Sequence, residues 1–414
     1  MKKIQLTFIL LLLTALGSQA QIEVVSGTVV DAHTHKPIAG ASVTMAVKAS
    51  SDANMSAASI HVVTNEDGFF TLKSSQKGST LVVTHLGYHS QHLTPNTQHP
   101  LLIQLKPAAI QLHEILVMPD NARELVMAAI HNIPNNYSQQ PEIHHTFYRE
   151  KVMKRQNYIN VAEGVIDMYK TSYSKGIWRD RAAIRKGRRL ISPRQRDTLS
   201  VKVMGGPATA LVLDIVKNTD FLLNSQELNL YDLRLQPPAT IADRLQLVVS
   251  LTPRTQAPYP LYYGTFYIDQ ETLAFTRIEL QLDMRDRNKA TSFMLVKKPR
   301  GLRFRPREMS CILDYRRGDD GLMRITYLRN TFRFNCDWQR RRFATSFTAV
   351  CEMAVTNITN HNVEPIRGRD SFDQHDAFFD KVDYFRDSTF WKDYNIIEPN
   401  ESLDKALNKL LPLF

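Results

Sequence analysis

The sequence predicts a mainly β protein in two parts: a small β-sandwich, then a large curved antiparallel sheet or half-barrel with a few helices. Three observations carry this. Residues 22–106 hold many short β-branched or alternating runs separated by Gly, Pro, Asn and Asp turns, which is how a sandwich reads. After His144 the runs lengthen and keep a period of two, so each has one apolar face. Helical periodicity is confined to short stretches near 121–133, 208–217 and 402–410.

The front of the chain reads as an export signal. Lys2 and Lys3 precede an apolar run over 4–16, and Ser18-Gln19-Ala20 supplies the small residues of a cleavage site. Residues 1–20 are therefore expected to be a signal peptide, with the folded protein starting at Gln21. The run is shorter than the ~20 residues a membrane-spanning helix needs. No Cys follows it, so a lipid anchor is not expected. At 414 residues the chain exceeds one small domain. The expected division is a sandwich over 21–106, a linker over 107–119 with a short strand at 114–117, and a β-rich domain over 120–414. The three cysteines, Cys311, Cys336 and Cys351, allow one disulfide at most, so the fold must stand on its apolar core. Cys311 and Cys351 lie in strand-like runs and read as small buried side chains.

Within the sandwich region, residues 24–30 form a β-branched run, and a turn follows through Pro37 and Gly40. Residues 41–47 alternate, 48–59 read as a mobile polar hairpin loop, and Asn65-Glu66-Asp67-Gly68 is a tight turn needing positive φ at Gly68. Residues 69–72, 80–84 and 101–105 are further strands.

The order Gly27-Thr28-Val29-Val30, then 37–43 from Pro37 to Val43, then 64–70 through Gly68, then 81–88 ending Gly87-Tyr88 resembles the carboxypeptidase-like regulatory domain. That resemblance implies a seven-stranded, transthyretin/Ig-like β-sandwich at the front of an envelope protein, and it implies no peptidase activity. Where such a domain precedes a TonB-dependent receptor a large barrel follows, and too little chain remains here for one.

In the second region a helix is expected just after Asp120, with Leu125, Val126, Ala129, Ile130 and Ile133 on one face. Over 276–284, Ile278, Leu280, Leu282 and Met284 share a face, and this strand pairs with 262–268 across the turn 269–272. A later strand carries Met323, Ile325 and Tyr327, then Phe332 and Phe334, and the change of phase between Tyr327 and Phe332 calls for a β-bulge. Phe343, Phe347, Ala349, Cys351, Met353 and Val355 form one face of another long strand. The hairpin over 263–278 is similar to those of LolA-like lipoprotein-carrier half-barrels.

Motifs for chemistry are few. His33-Thr34-His35 imitates a metal-binding His-x-His, but the β/α barrel and further ligands that chemistry needs do not follow. His361 and Glu364 match a His-x-x-Glu pair with only His375 downstream, and His85, His89, His92 and His99 cluster without evident convergence. The nucleophile elbow, the phosphate-binding loop and His-Glu-x-x-His are absent from the sequence. Glu150, Glu163 and Asp167 lie on strand-like runs, and Glu163 and Asp167 could share a face.

The net charge is +11, and its densest run is 175–196: Arg179, Arg181, Arg185, Lys186, Arg188, Arg189, Arg194 and Arg196, with Trp178 beside them. Arg340-Arg341-Arg342 suggests a second basic tip. Guanidinium groups suit bidentate contact with phosphate or carboxylate. In an exported protein such a run points to lipid headgroups, lipopolysaccharide or anionic glycan rather than nucleic acid. The expectation is a non-enzymatic envelope protein, a binding or docking module whose half-barrel takes a hydrophobic or anionic polymeric ligand at Trp178, Arg179, Arg181, Arg185, Lys186, Arg188 and Arg189, with no cofactor and no metal. The alternatives are a glycan or peptide hydrolase working through carboxylates of the second domain, and a structural partner of an outer-membrane complex.

Overall fold

A computed structural model describes residues 22–47, 59–76, 78–108, 121–192, 201–338, 344–373, 376–384 and 390–410. The signal peptide, most of the 48–59 loop, the 114–117 strand, Asp120, Arg194, Arg196, the 340–342 tip and Phe343 lie outside the described residues.

The first unit has seven strands among the described residues: β1 (Glu23–Asp31), β2 (Ser42–Val47), β3 (Ser59–Val63), β4 (Phe69–Ser74), β5 (Gly78–Thr84), β6 (Gln91–Leu93) and β7 (Leu101–Leu105). They form two sheets, ordered β4-β1-β7 and β3-β2-β5-β6. Every second side chain of β1 and β4 points inward, so Val25, Val29, Phe70 and Leu72 meet Val43, Met45, Leu81 and Val83 of the facing sheet. At the 65–68 turn Gly68 has φ +72°, and a Cβ there would lie 2.4 Å from the Val29 carbonyl oxygen, so only glycine fits.

Helices α1 (Ala122–His131) and α2 (Ile133–Asn136) open the second unit. The cap of α1 is Asn121, one residue later than expected; its extended backbone lets the side chain accept from the Arg123 N–H. The strands that follow are β8 (Glu142–Lys154), β9 (Asn157–Lys170), β10 (Arg181–Ile191), β11 (Lys202–Val203), β12 (Tyr231–Ile241), β13 (Arg244–Pro253), β14 (Tyr262–Asp269), β15 (Phe275–Leu282), β16 (Leu295–Lys297), β17 (Leu302–Arg317), β18 (Met323–Trp338), β19 (Thr345–Thr359) and β20 (Asp383–Tyr384). Ten of them form one antiparallel sheet in the order β12-β13-β14-β15-β17-β18-β19-β8-β9-β10, and β20 adds a short parallel pairing at the β10 edge. The sheet is curved and does not close on itself.

The inner face of the sheet, with Phe266, Phe275, Ile278, Leu313, Phe332 and Met353, shares one apolar core with α1 and the segment holding α3 (Pro207–Val212) and α4 (Ser225–Leu228). Leu125, Val126, Leu211, Ile215, Val216 and Leu222 fill that side. Cys311 and Cys351 are buried there, as expected, and all three thiols are free.

The bulge falls earlier than the sequence suggested. Tyr315 pairs with Ile325 and Asp314 with Tyr327, so Thr326 is the extra residue. Ile325 stays in the inner core while Tyr327 turns to the outer face, beside Phe147, Ala354 and Trp391. That outer face is covered by the sandwich and by residues 390–410, which include α6 (Glu401–Leu410); the remaining helix, α5 (Arg287–Met294), precedes β16.

Candidate functional site

The outer face carries a row of charges that only strand register reveals. Arg329 of β18 pairs with Glu352 of β19, Glu352 with Arg149 of β8, Arg149 with Glu163 of β9, and Glu163 with Arg188 of β10. The signs alternate across five strands, so each carboxylate has a cation on both sides. Arg149 Nε lies 2.7 Å and Arg188 Nε 2.6 Å from Glu163. Trp391 donates its indole N–H to the same carboxylate at 3.1 Å, and Arg149 donates to the Ile397 carbonyl at 2.6 Å. Burial would raise the Glu163 carboxyl, but the two guanidinium groups outweigh it and hold it at about 2. Lys151, 3.3 Å away, joins Arg329 on Glu352.

The expected binding residues divide accordingly. Arg188 is committed to Glu163. Lys186 donates to the Phe390 carbonyl at 2.8 Å and lies 4.2 Å from the centre of that ring. Arg189 donates to the Phe379 carbonyl at 2.6 Å. Arg185 meets Asp167 at 2.6 Å while its side chain stays largely in solvent. Arg181 donates to the Trp178 and Asp180 carbonyls, bracing the β9–β10 turn. On that turn Trp178 is 81% exposed, and Lys175 and Arg179 are exposed beside it. The structure thus brings Trp178, Arg179 and Arg181 to one solvent-facing turn, leaves Arg185 exposed along β10 on Asp167, and sets Lys186, Arg188 and Arg189 against the rest of the protein.

A second charged group sits on the inner face, under α3 and the turns after it. Asp214 accepts from Lys170 Nζ at 2.6 Å, Tyr315 at 2.9 Å and Tyr173 at 3.1 Å. Lys217 donates to Asp180 at 2.8 Å and to the Thr171 carbonyl at 2.5 Å. Burial and the neighbouring Lys170 press the Lys217 ammonium down to about 8, while Asp180 works against them. These pairs pin the helical segment to the sheet, so the inner face is a closed core. Nearby, Glu150 accepts from Tyr148 at 2.8 Å and from the Gly206 N–H at 2.7 Å. Burial raises its carboxyl despite those bonds. Glu163 and Asp167, by contrast, are both ion-paired to cations, while Lys202 acts on Glu150 through its charge.

The front unit and its sequence signature agree. Residues 25–117 match the CarboxypepD_reg-like domain family. Similar solved structures include a DUF1329 family protein from Desulfovibrio piger (10% identity over 59% of this chain and 95% of that chain, TM-score 0.25). They also include a LolA superfamily protein from Nitrosomonas europaea (13%, 59% and 96%, TM-score 0.22) and the MucA/MucB complex of Pseudomonas aeruginosa (15%, 57% and 99%, TM-score 0.18). No curated relative matches the chain.

The CarboxypepD_reg-like domain is not a tethered appendage. Its Glu66 reaches Lys151 at 3.1 Å and Arg329 at 3.0 Å, joining the charge row. Lys73 donates to the Trp391 and Tyr394 carbonyls at 2.7 and 3.1 Å, and Asn65 to the Pro399 carbonyl at 3.0 Å. At the other end the Gly87 N–H donates to Thr240 at 2.8 Å, and Ser90 to Asp243. Between these bolts lies a polar seam with cavities of ≈ 130, 50 and 70 Å³; His61 and Arg316 line the first two, and His85 and Arg277 the last two. No local pattern in the sequence marks this seam, because Arg316 follows Glu308, Ser310, Ile312 and Asp314 on a largely polar strand face. Of the histidines weighed for metal, His89 bonds Asp243 at 3.2 Å and His85 lies in the seam. Among the described residues, no group of three or more His, Cys, Asp or Glu side chains is placed to hold a metal ion.

Proposed function

We propose that this is a non-catalytic binding protein of the bacterial envelope, whose ligand is an anionic lipid headgroup or an anionic glycan met at the β9–β10 turn. The carrying observation is Trp178, largely in water between Lys175 and Arg179, with Arg181 bonded to its carbonyl. An indole flanked by cations suits the headgroup level of a membrane, where the ring finds an apolar layer and the cations find phosphate. The domain match supports an envelope setting. Chemistry by the sheet's acids is disfavoured on physical grounds. General acid catalysis needs a raised carboxyl open to substrate. Glu163 is held low by two guanidinium groups, and Glu150, which is raised, is half-buried with its carboxylate taken up by the Tyr148 hydroxyl and the Gly206 N–H. A hydrophobic ligand inside the half-barrel would have to displace α3 and break the buried Asp214 and Lys217 pairs.

The test is co-sedimentation with vesicles. Wild-type protein is expected to bind vesicles of about one-third phosphatidylglycerol, to lose binding as salt rises, and to ignore pure phosphatidylcholine. Replacing Trp178 and Arg179 together with Ala should lower binding about tenfold. Equal binding to neutral vesicles, or no loss in the double variant, would exclude the turn as the contact.

A further inference from the structure

The ≈ 130 Å³ cavity of the seam is lined by Ser59 and His61 of the CarboxypepD_reg-like domain and by Arg316, Arg317, Thr326 and Asn357 of the sheet. Among the described residues Arg316 has one hydrogen-bond acceptor, Ser42 Oγ at 3.1 Å, and no carboxylate within 4 Å. A guanidinium carries five N–H donors in a rigid fork, so most of this one is unspent.

The protons around it are fixed. His61 Nδ1 lies 3.0 Å from the Val355 carbonyl, which can only accept, so Nδ1 bears the hydrogen. Nε2 is then an acceptor, and Ser42 donates to it at 3.0 Å. That leaves the Ser42 lone pairs for Arg316. Burial, then the adjacent Arg316 charge, press His61 down to about 3, so the imidazole stays neutral and adds no second cation. Burial also lowers Arg316 itself, to about 10, with Asp319 opposing weakly. The other carboxylate on the cavity wall, Asp320, is occupied by Arg324 at 2.6 Å, and Arg324 is shared with Glu142. Arg317 spends Nη1 on the Gly321 carbonyl.

We propose that this cavity is a binding site for a small oxyanion, a phosphate or carboxylate group clasped by the fork of Arg316. A charge held in a recess with no carboxylate within ion-pairing distance is costly, and a bidentate oxyanion removes that cost. The space suits such a group: it is roughly ten times what a single water needs. Asn357, on the same wall, offers an amide donor and Ser59 a hydroxyl, while the Thr326 hydroxyl is spent on the Asp314 carbonyl. The site lies in the seam and goes beyond the surface reading above; either can fail without the other.

The experiment measures thermal stability of the full protein against inorganic phosphate, acetate and dihexanoyl phosphatidate. Bound anion is expected to raise the wild-type Tm by about 2 °C or more. Arg316→Gln should erase the rise, Arg316→Lys should weaken binding about tenfold because an ammonium lacks the fork, and Arg317→Gln should keep it. Arg316→Gln should melt no lower than wild type in anion-free buffer, since it removes an uncompensated charge; should it fail to fold, Arg316→Lys decides alone. A response to phosphate or acetate identifies a free anion, and a response to phosphatidate alone identifies a lipid headgroup. No rise with any of the three probes, or a rise kept in full by Arg316→Gln or by a folded Arg316→Lys, would overturn the proposal.

Discussion

Glu163 shows how a single side chain can order a sheet face. Its two oxygens are divided between Arg149 and Arg188, and the Trp391 indole completes the set. Removing one member of a buried ionic cluster leaves the others unpaired, which costs far more than the pair contributes against an apolar isostere. Glu163→Gln is therefore expected to destabilise the protein by about 3 kcal/mol, measured by urea denaturation at neutral pH. The pH dependence has a definite sign. The folded carboxyl sits at about 2, below its ordinary 4.5. Its stabilisation is complete above about 4.5 and is lost as pH falls from there through 2. The difference in stability between wild type and Glu163→Gln should shrink over that interval and vanish below it; a constant difference down to pH 2 would mean that the carboxylate charge is not what matters.

At the level of elements, the helical segment over 207–228 is held to the sheet by polar pins set in an apolar core. Asp214 is the main one, taking bonds from Lys170, Tyr173 and Tyr315. Asp214→Ala should cost about 3–5 kcal/mol and expose the segment, which limited proteolysis between 204 and 224 would detect. Unchanged protection would show that Leu211, Ile215, Val216 and Leu222 hold the segment unaided. Much of the element inventory was legible in the chain. Ile278, Leu280 and Leu282, and likewise Phe347, Ala349, Cys351, Met353 and Val355, face the inner core as their period of two required. Local patterning misplaces the bulge, since Tyr327 alternates in phase with Met323 and Ile325, whereas the outer face has its own apolar cluster for it with Phe147 and Trp391. The charge row was illegible for a different reason. Its members, at 149, 163, 188, 329 and 352, become neighbours only through the register of five strands, and local patterning carries no register between distant strands. The same blindness made 179–189 look like one continuous basic patch, whereas a strand sends successive side chains to opposite faces and a bulge between Ile184 and Lys186 resets them.

For the molecule as a whole, the question is whether two units behave as one. The seam is bolted at Glu66, Lys73 and Asn65 on one side and Gly87 and Ser90 on the other. Contacts of this extent are expected to give a single cooperative melting transition, with near-ultraviolet and far-ultraviolet circular dichroism superimposing. Glu66→Ala should separate the two traces, because it takes the shared counter-ion from Lys151 and Arg329. Two resolved transitions in the wild type would mean that the units melt independently despite the bolts.

Residues 390–403 come after every strand described here, yet they supply the indole on Glu163, the carbonyls on Lys73 and Arg149, and the leucine against Val161 and Leu190. As the chain emerges vectorially, from a ribosome or across a membrane, the sheet and the sandwich are both made before the clasp that joins them exists. Final assembly is thus deferred until this segment arrives, and a molecule halted short of it would present the bare outer face of the sheet to whatever quality-control protease or chaperone is waiting.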